Sequence, residues 1–184
     1  MQLRDNGLGF SPITLVMHWL VAALLFAIIA LGIAISLAGD PANRVALTQV
    51  QNLLGAVLFL VSIYRFWARI TSFHPLPVGT PAPVEVIISR SVAVALALAM
   101  VLLPIAVWLY RSAAGVPIEL PGGFFIPSLI APNESVKQVV HVLFNIGATA
   151  FIAGLGLHIF GACKNHFMLK NDAVKRMLGK HVEL

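Results

Sequence analysis

The sequence predicts an all-α membrane protein, an antiparallel bundle of four transmembrane helices, and two observations carry that reading. Hydrophobic residues make up 59% of the 184 positions and charged residues only 10%, against about 25% charged in an ordinary soluble domain. The mean hydropathy of +0.94 agrees. The apolar residues are also grouped into runs at about 13–37, 45–67, 87–110 and 139–163. Each is close to the ~20 residues that a helix needs to cross ~30 Å of hydrocarbon. Four crossings use almost all of the chain, so one membrane domain over residues 1–184 is expected, with a basic tail at 164–184 and no separate soluble domain.

The first run is too long and too lightly charged at its front for a cleaved secretory signal, so it is expected to remain as helix one. Asp40-Pro41 marks a tight turn before the second run. Pro75, Pro77, Pro81 and Pro83 punctuate the next connection and favour an extended, polyproline-like path. The 111–138 connection alternates Pro117, Pro121, Pro127 and Pro132 with Phe124, Phe125, Ile126, Leu129 and Ile130. That pattern suits either a segment lying on the membrane surface over the bundle's outer end or a flexible loop.

The cations give the bundle a direction. One side receives nine Lys and Arg, from Arg4, Arg65, Arg69 and Arg90 to the tail, and the other only Arg44, Arg111 and Lys137. The positive-inside bias then puts both termini and the 68–86 loop in the cytoplasm. With Asp5, Glu85, Asp172 and Glu183 inside and Asp40, Glu119 and Glu134 outside, the whole net charge of +5 is cytoplasmic. The basic balance therefore speaks of topology and contact with lipid headgroups, not of nucleic acid.

A single cysteine, Cys163, excludes an intrachain disulfide and any cysteine-held metal. Histidine remains. An ionisable side chain inside a span is costly, so a histidine there is a candidate functional residue. His18, about five residues into the first span, and His158, about five before the end of the fourth, both lie ~8 Å below the cytoplasmic surface at 1.5 Å per residue. Gly154 and Gly161 share a helix face with His158, and Ala22 lies one turn from His18, leaving little bulk beside either imidazole. A flat macrocycle needs such clearance, and two axial histidines hold a low-spin haem. The alternatives are that the glycines serve close helix packing and that each histidine simply hydrogen-bonds a neighbour. Trp19, Trp67 and Trp108 fit interfacial belts.

Met17-His18-Trp19-Leu20, Gly156-Leu157-His158 and the tail Asn165-His166-Phe167-Met168-Leu169-Lys170-Asn171-Asp172-Ala173-Val174-Lys175-Arg176-Met177, with Gly55, Arg65 and Pro104 between them, resemble the prokaryotic cytochrome b561 family. The resemblance implies a four-helix cytochrome of the bacterial inner membrane that carries haem b and exchanges single electrons with quinone or quinol. It implies that His18 and His158 are the axial ligands of the cytoplasmic-side haem. Propionate partners at that surface would be Arg65, Arg69, Arg90 or Lys164, each of which could equally be an interfacial cation. The other redox partner, superoxide or a protein, stays open, as does the choice between a quinone-linked oxidoreductase and a simple relay. The competing class is a non-redox membrane anchor or a small transporter without haem.

Members of that family commonly hold a second, outer haem between a histidine early in helix two and another fourteen residues before the inner ligand of helix four. Gln51 and Phe144 stand at those positions here, so one haem is expected. His141 is the remaining outer-side candidate, but it lies roughly 100° around the helix from His158; a capped or solvated helix-start histidine is the alternative. His74, His166 and His181 read as loop and tail residues.

Overall fold

The computed structural model describes residues 5–7, 9–73 and 75–180, so the readings made on Arg4, His74, His181 and Glu183 lie outside the described residues. The expected all-α class is the one observed. Four helices, α1 (Pro12–Leu37), α2 (Pro41–Thr71), α3 (Pro83–Ala113) and α4 (Glu134–Cys163), are long and apolar enough to cross a membrane. A π turn, Lys164–Met168, continues α4, and a short α5 (Ala173–Met177) follows.

The helices extend beyond the apolar runs, because hydropathy marks the part that meets lipid while capping chemistry decides where the helix starts. Proline is the first residue of α1, α2 and α3, where its missing N–H costs nothing and its fixed φ suits the helix. Side-chain oxygens one residue earlier accept amides of the first turn: Ser11 Oγ from Thr14 at 3.2 Å, and Asp40 Oδ2 from Asn43 at 2.9 Å. Asn133 Oδ1 caps α4 in the same way through Val136, at 3.0 Å. Pro104 removes one backbone hydrogen bond inside α3 without ending the helix. Few side chains are buried within the protein, Val21, Leu58, Val140 and Phe151 among them, and Leu37, Leu60, Ile70 and Ile87 are broadly exposed. That distribution suits helices whose outer faces are covered by lipid.

The chain forms two compact units, one drawn from 1–19, 63–99 and 149–184 and the other from 20–62 and 100–148, so every long helix gives a stretch to each. In the first, Lys164 Nζ meets Glu85 Oε1 at 2.8 Å, joining the end of α4 to the start of α3. Asp5 Oδ1 accepts from the Ser11 amide and the Thr14 hydroxyl, both at 2.7 Å, which holds the segment before α1 against its first turn.

In the second unit the 111–138 connection is more ordered than its sequence suggests. Strands β1 (Ile118–Glu119) and β2 (Phe125–Ile126) pair antiparallel, Ile118 opposite Ile126. Gly122 and Gly123, at φ +80° and +79°, close the hairpin in a conformation that a side chain would strain. Asn52 Nδ2 donates to Glu119 O at 2.8 Å and ties the hairpin to α2, and Trp108 Nε1 donates to Pro127 O at 2.8 Å. These bonds link residues far apart in sequence, which no local pattern signals.

Ser112 is the pivot of that connection. It is 1% exposed, donates to Trp108 O at 2.8 Å and accepts from the Leu129 amide at 2.9 Å. Ser112→Ala leaves the Leu129 N–H without its acceptor and is expected to cost ~1–3 kcal/mol. A lowered thermal midpoint in detergent checks this; an unchanged midpoint would show that the amide finds another acceptor.

Candidate functional site

His18 and His158, assigned to one depth from sequence, meet in the first unit. Their ring centroids are 6.2 Å apart, with the planes inclined at 54°. Metal–nitrogen bonds of ~2.0–2.1 Å, with the ring centre ~1.1 Å beyond the nitrogen, put two imidazoles on opposite sides of one metal at a centre separation of ~6.2 Å. The pair therefore has the spacing of two ligands to a shared ion. Among the described residues no group of three or more His, Cys, Asp or Glu could hold a metal. An ion held by this pair takes its other ligands from elsewhere, as iron in a tetrapyrrole does.

The surroundings fit such a group. His158, exposed at the protein surface, has no hydrogen-bond partner among the described residues. A polar ring in an apolar span without a partner is costly unless something else binds it. Gly161, one turn further along α4, faces open space, since a Cβ there would meet nothing within 4 Å. Gly154 differs: a Cβ there would make an ordinary contact with Leu96 Cδ2 of α3, at 3.4 Å. Ala22 follows His18 by one turn of α1 and belongs to the second unit.

Two arginines of α2 supply positive charge. Arg65 Nη2 lies 3.5 Å from His18 Nδ1, at the outer limit of hydrogen bonding. One turn later, Arg69 Nε is buried with no hydrogen-bond partner. A buried guanidinium N–H left over in this way suits an anionic substituent such as a haem propionate. Lys164 is already paired with Glu85.

The residues assigned to the outer side from sequence form no comparable pair among the described residues. Gln51 Nε2 donates to Ile28 O at 3.0 Å and sits where a Cβ on Gly32 would be 3.2 Å away, so its side chain fills space against α1. Phe144 lines a cavity of about 210 Å³ with Val107, Tyr110, His141 and Asn145. His141 Nε2 is 3.2 Å from Asn145 Nδ2, and its ring is 5.7 Å from that of Tyr110. It is the one histidine of the second unit.

Sequence reasoning missed the partner of Trp19. Its indole contacts the His18 ring edge-on at 5.3 Å and 84°, and Nε1 donates to Met177 O at 2.8 Å. An adjacent His-Trp pair is visible in the sequence, but a bond across 158 positions to the tail is not.

Comparison with known proteins gives the family. The model of the prokaryotic cytochrome b561 family matches residues 9–180. The chain is also similar to cytochrome b561 homolog 2 of Escherichia coli (strain K12), 27% identical over 181 residues that cover 98% of this chain and 96% of that protein. Four membrane-spanning helices, a histidine pair at metal-bridging separation and a match along almost the whole length lead to one conclusion: the chain belongs to the prokaryotic cytochrome b561 family, bacterial membrane b-type cytochromes of electron transfer.

Proposed function

We propose that the protein passes single electrons through one b-type haem held by His18 and His158, and that quinone or quinol is its small redox partner. The observation that carries this reading is the 6.2 Å separation of the two imidazole centres. Membership of the family supports it over a non-redox anchor or small transporter. When bound, the haem supplies an iron that cycles between ferric and ferrous states. The chain's own residues do the rest. His18 and His158 would hold the group as neutral imidazoles, and a metal held by two such ligands would favour electron transfer over ligand chemistry. Arg65 and Arg69 counter propionate charge, and the apolar walls of α1 and α4 keep water away. The lipid phase brings quinone to the helix faces directly. Superoxide or a partner protein is the other electron carrier in this reading.

The site faces the cytoplasm in this proposal, with both termini on that side of the inner membrane, because the excess of Lys and Arg lies there. Reporter fusions at the C-terminus are expected to be active as cytoplasmic markers, and fusions within residues 117–132 as periplasmic ones. The reverse pattern would move the haem to the outer side without removing it.

The central test is a reduced-minus-oxidised spectrum with the haem-to-protein ratio. His18→Ala and His158→Ala are each expected to abolish the low-spin bis-histidine spectrum, and His141→Ala to leave it intact. A low-spin spectrum surviving His158→Ala would remove the ligand assignment.

The ratio should be one haem per chain, because Gln51 and Phe144 stand where an outer pair of ligands would be. Gln51→His combined with Phe144→His is expected to raise it towards two, as the change also clears the Phe144 ring and frees Ile28 O. Neither change alone should suffice. Two haems in the unaltered protein would defeat the single-haem reading and direct attention to His141.

A further inference from the structure

The C-terminal helix α5 is anchored from several directions, and one anchor leads to a proposed haem ligand. Arg176, buried at 8% exposure, donates from Nη1 to Leu76 O at 2.6 Å, and its Cζ lies 5.3 Å from the centre of the Phe10 ring. Beyond α5 the chain turns at Gly179, φ +76°, where a Cβ would come 3.5 Å from Leu15 Cδ1 of α1. Burial lowers the proton affinity of Arg176 from a very high ordinary value, while the Asp5 carboxylate opposes that and the ring of Phe10 favours the charged form, so it anchors as a cation. Met177 is the last residue of α5, and its carbonyl is one of the acceptors that a helix end leaves without an intrahelical donor. It accepts the indole N–H of Trp19 at 2.8 Å.

We propose that Trp19 is a positioning residue: its indole, fixed by the Met177 carbonyl, holds the plane of the His18 imidazole, so that the C-terminal segment sets how the two axial ligands are turned relative to each other. This rests on the reading of His18 and His158 as haem ligands.

An imidazole bound through one nitrogen can still rotate about that bond, and its plane is set by whatever its other nitrogen and its ring faces touch. The usual device is a carbonyl or carboxylate on the second nitrogen. His18 has neither, only Arg65 Nη2 at 3.5 Å from Nδ1. The Trp19 ring supplies the constraint instead, perpendicular to the imidazole at 84° with centres 5.3 Å apart, an arrangement that aromatic pairs favour. An indole could rotate out of that contact on its own, being 46% exposed; the directional bond to Met177 O prevents it. With iron held between them, the inclination of the two imidazole planes, 54° in this structure, would influence the splitting of the iron d orbitals and through it the ferric EPR g values and the reduction potential.

The test uses the full-length haem-loaded protein and its low-temperature EPR spectrum, with haem content measured in parallel. Trp19→Phe keeps a ring beside His18 but removes the N–H, and Arg176→Ala loosens α5 without touching α1 near the haem. Both are expected to shift and broaden the low-field resonance and to displace the midpoint potential, with haem content unchanged. Trp108→Phe, which also loses an indole bond to a main-chain carbonyl, should superimpose on the wild type. Superposition of either Trp19→Phe or Arg176→Ala on the wild type would overturn the proposal, as would an equal shift from Trp108→Phe. Should Trp19→Phe lose haem, Arg176→Ala decides alone by the same criterion. A wild type without any low-spin bis-imidazole signal would overturn the ligand assignment and this inference together, whereas superimposable variants overturn this inference only.

Discussion

Hydrocarbon offers no hydrogen bonds, so each polar group carried into it must be satisfied by the protein or by something the protein binds. The backbone meets this demand by forming four long helices. The imidazoles cannot meet it that way. His18 has the ring of Trp19 and a distant guanidinium, and His158 has His18 at 6.2 Å and no hydrogen bond. Leucine in place of such rings would cost nothing in lipid, and the bridging distance of the pair is the feature on which the proposed haem site rests. The buried Nε of Arg69 makes the same argument for an anion. A tetrapyrrole with two propionates answers both demands at once, because its iron takes two axial ligands and its edge carries the negative charge.

Elements governed by local rules were legible in the sequence, and those governed by distant partners were not. The four spans follow from hydropathy; their starts at Pro12, Pro41 and Pro83 precede the apolar runs, where the sequence pattern suggests a turn at Pro41 and an extended connection at Pro83. The depth match of His18 and His158 follows from counting residues along helices. Gly154 shows the limit of that counting. Its spacing from His158 is consistent both with cofactor clearance and with helix packing, and its neighbour on α3, Leu96, is visible only in the structure. Trp19 shows the limit more sharply. Membrane-edge enrichment explains a tryptophan at that place, yet the bond that orients it comes from Met177, reached only after the chain has crossed and returned.

The two units handle their polar groups differently. In the second, several polar side chains reach main-chain carbonyls, Gln51 on Ile28 O, Asn52 on Glu119 O and Trp108 on Pro127 O, and Ser62 Oγ is the buried atom left over. Gln51 is informative because the family resemblance marks it as a missing ligand. A glutamine that spends its amide on α1 is not a polar residue waiting for a cofactor. The first unit instead combines the His18–His158 pair with several cations, with Glu85 committed to Lys164 and Asp5 committed to the start of α1.

That asymmetry bears on what kind of electron transfer the chain can support. The stretch of α4 from His158 back to Glu134 is 24 residues, or about 36 Å of helix at 1.5 Å per residue. Under the single-haem reading no second centre lies along it, and His141, held against Asn145 and Tyr110, offers no bis-imidazole pair. Electron tunnelling falls off steeply with distance, so a relay across the full membrane needs an intermediate carrier that this chain does not supply from its own ligands. Donor and acceptor are then expected to meet the protein at the same end. The proposed quinone partner would suit that requirement, since a carrier dissolved in the bilayer would meet the faces of α1 and α4 beside the histidine pair directly.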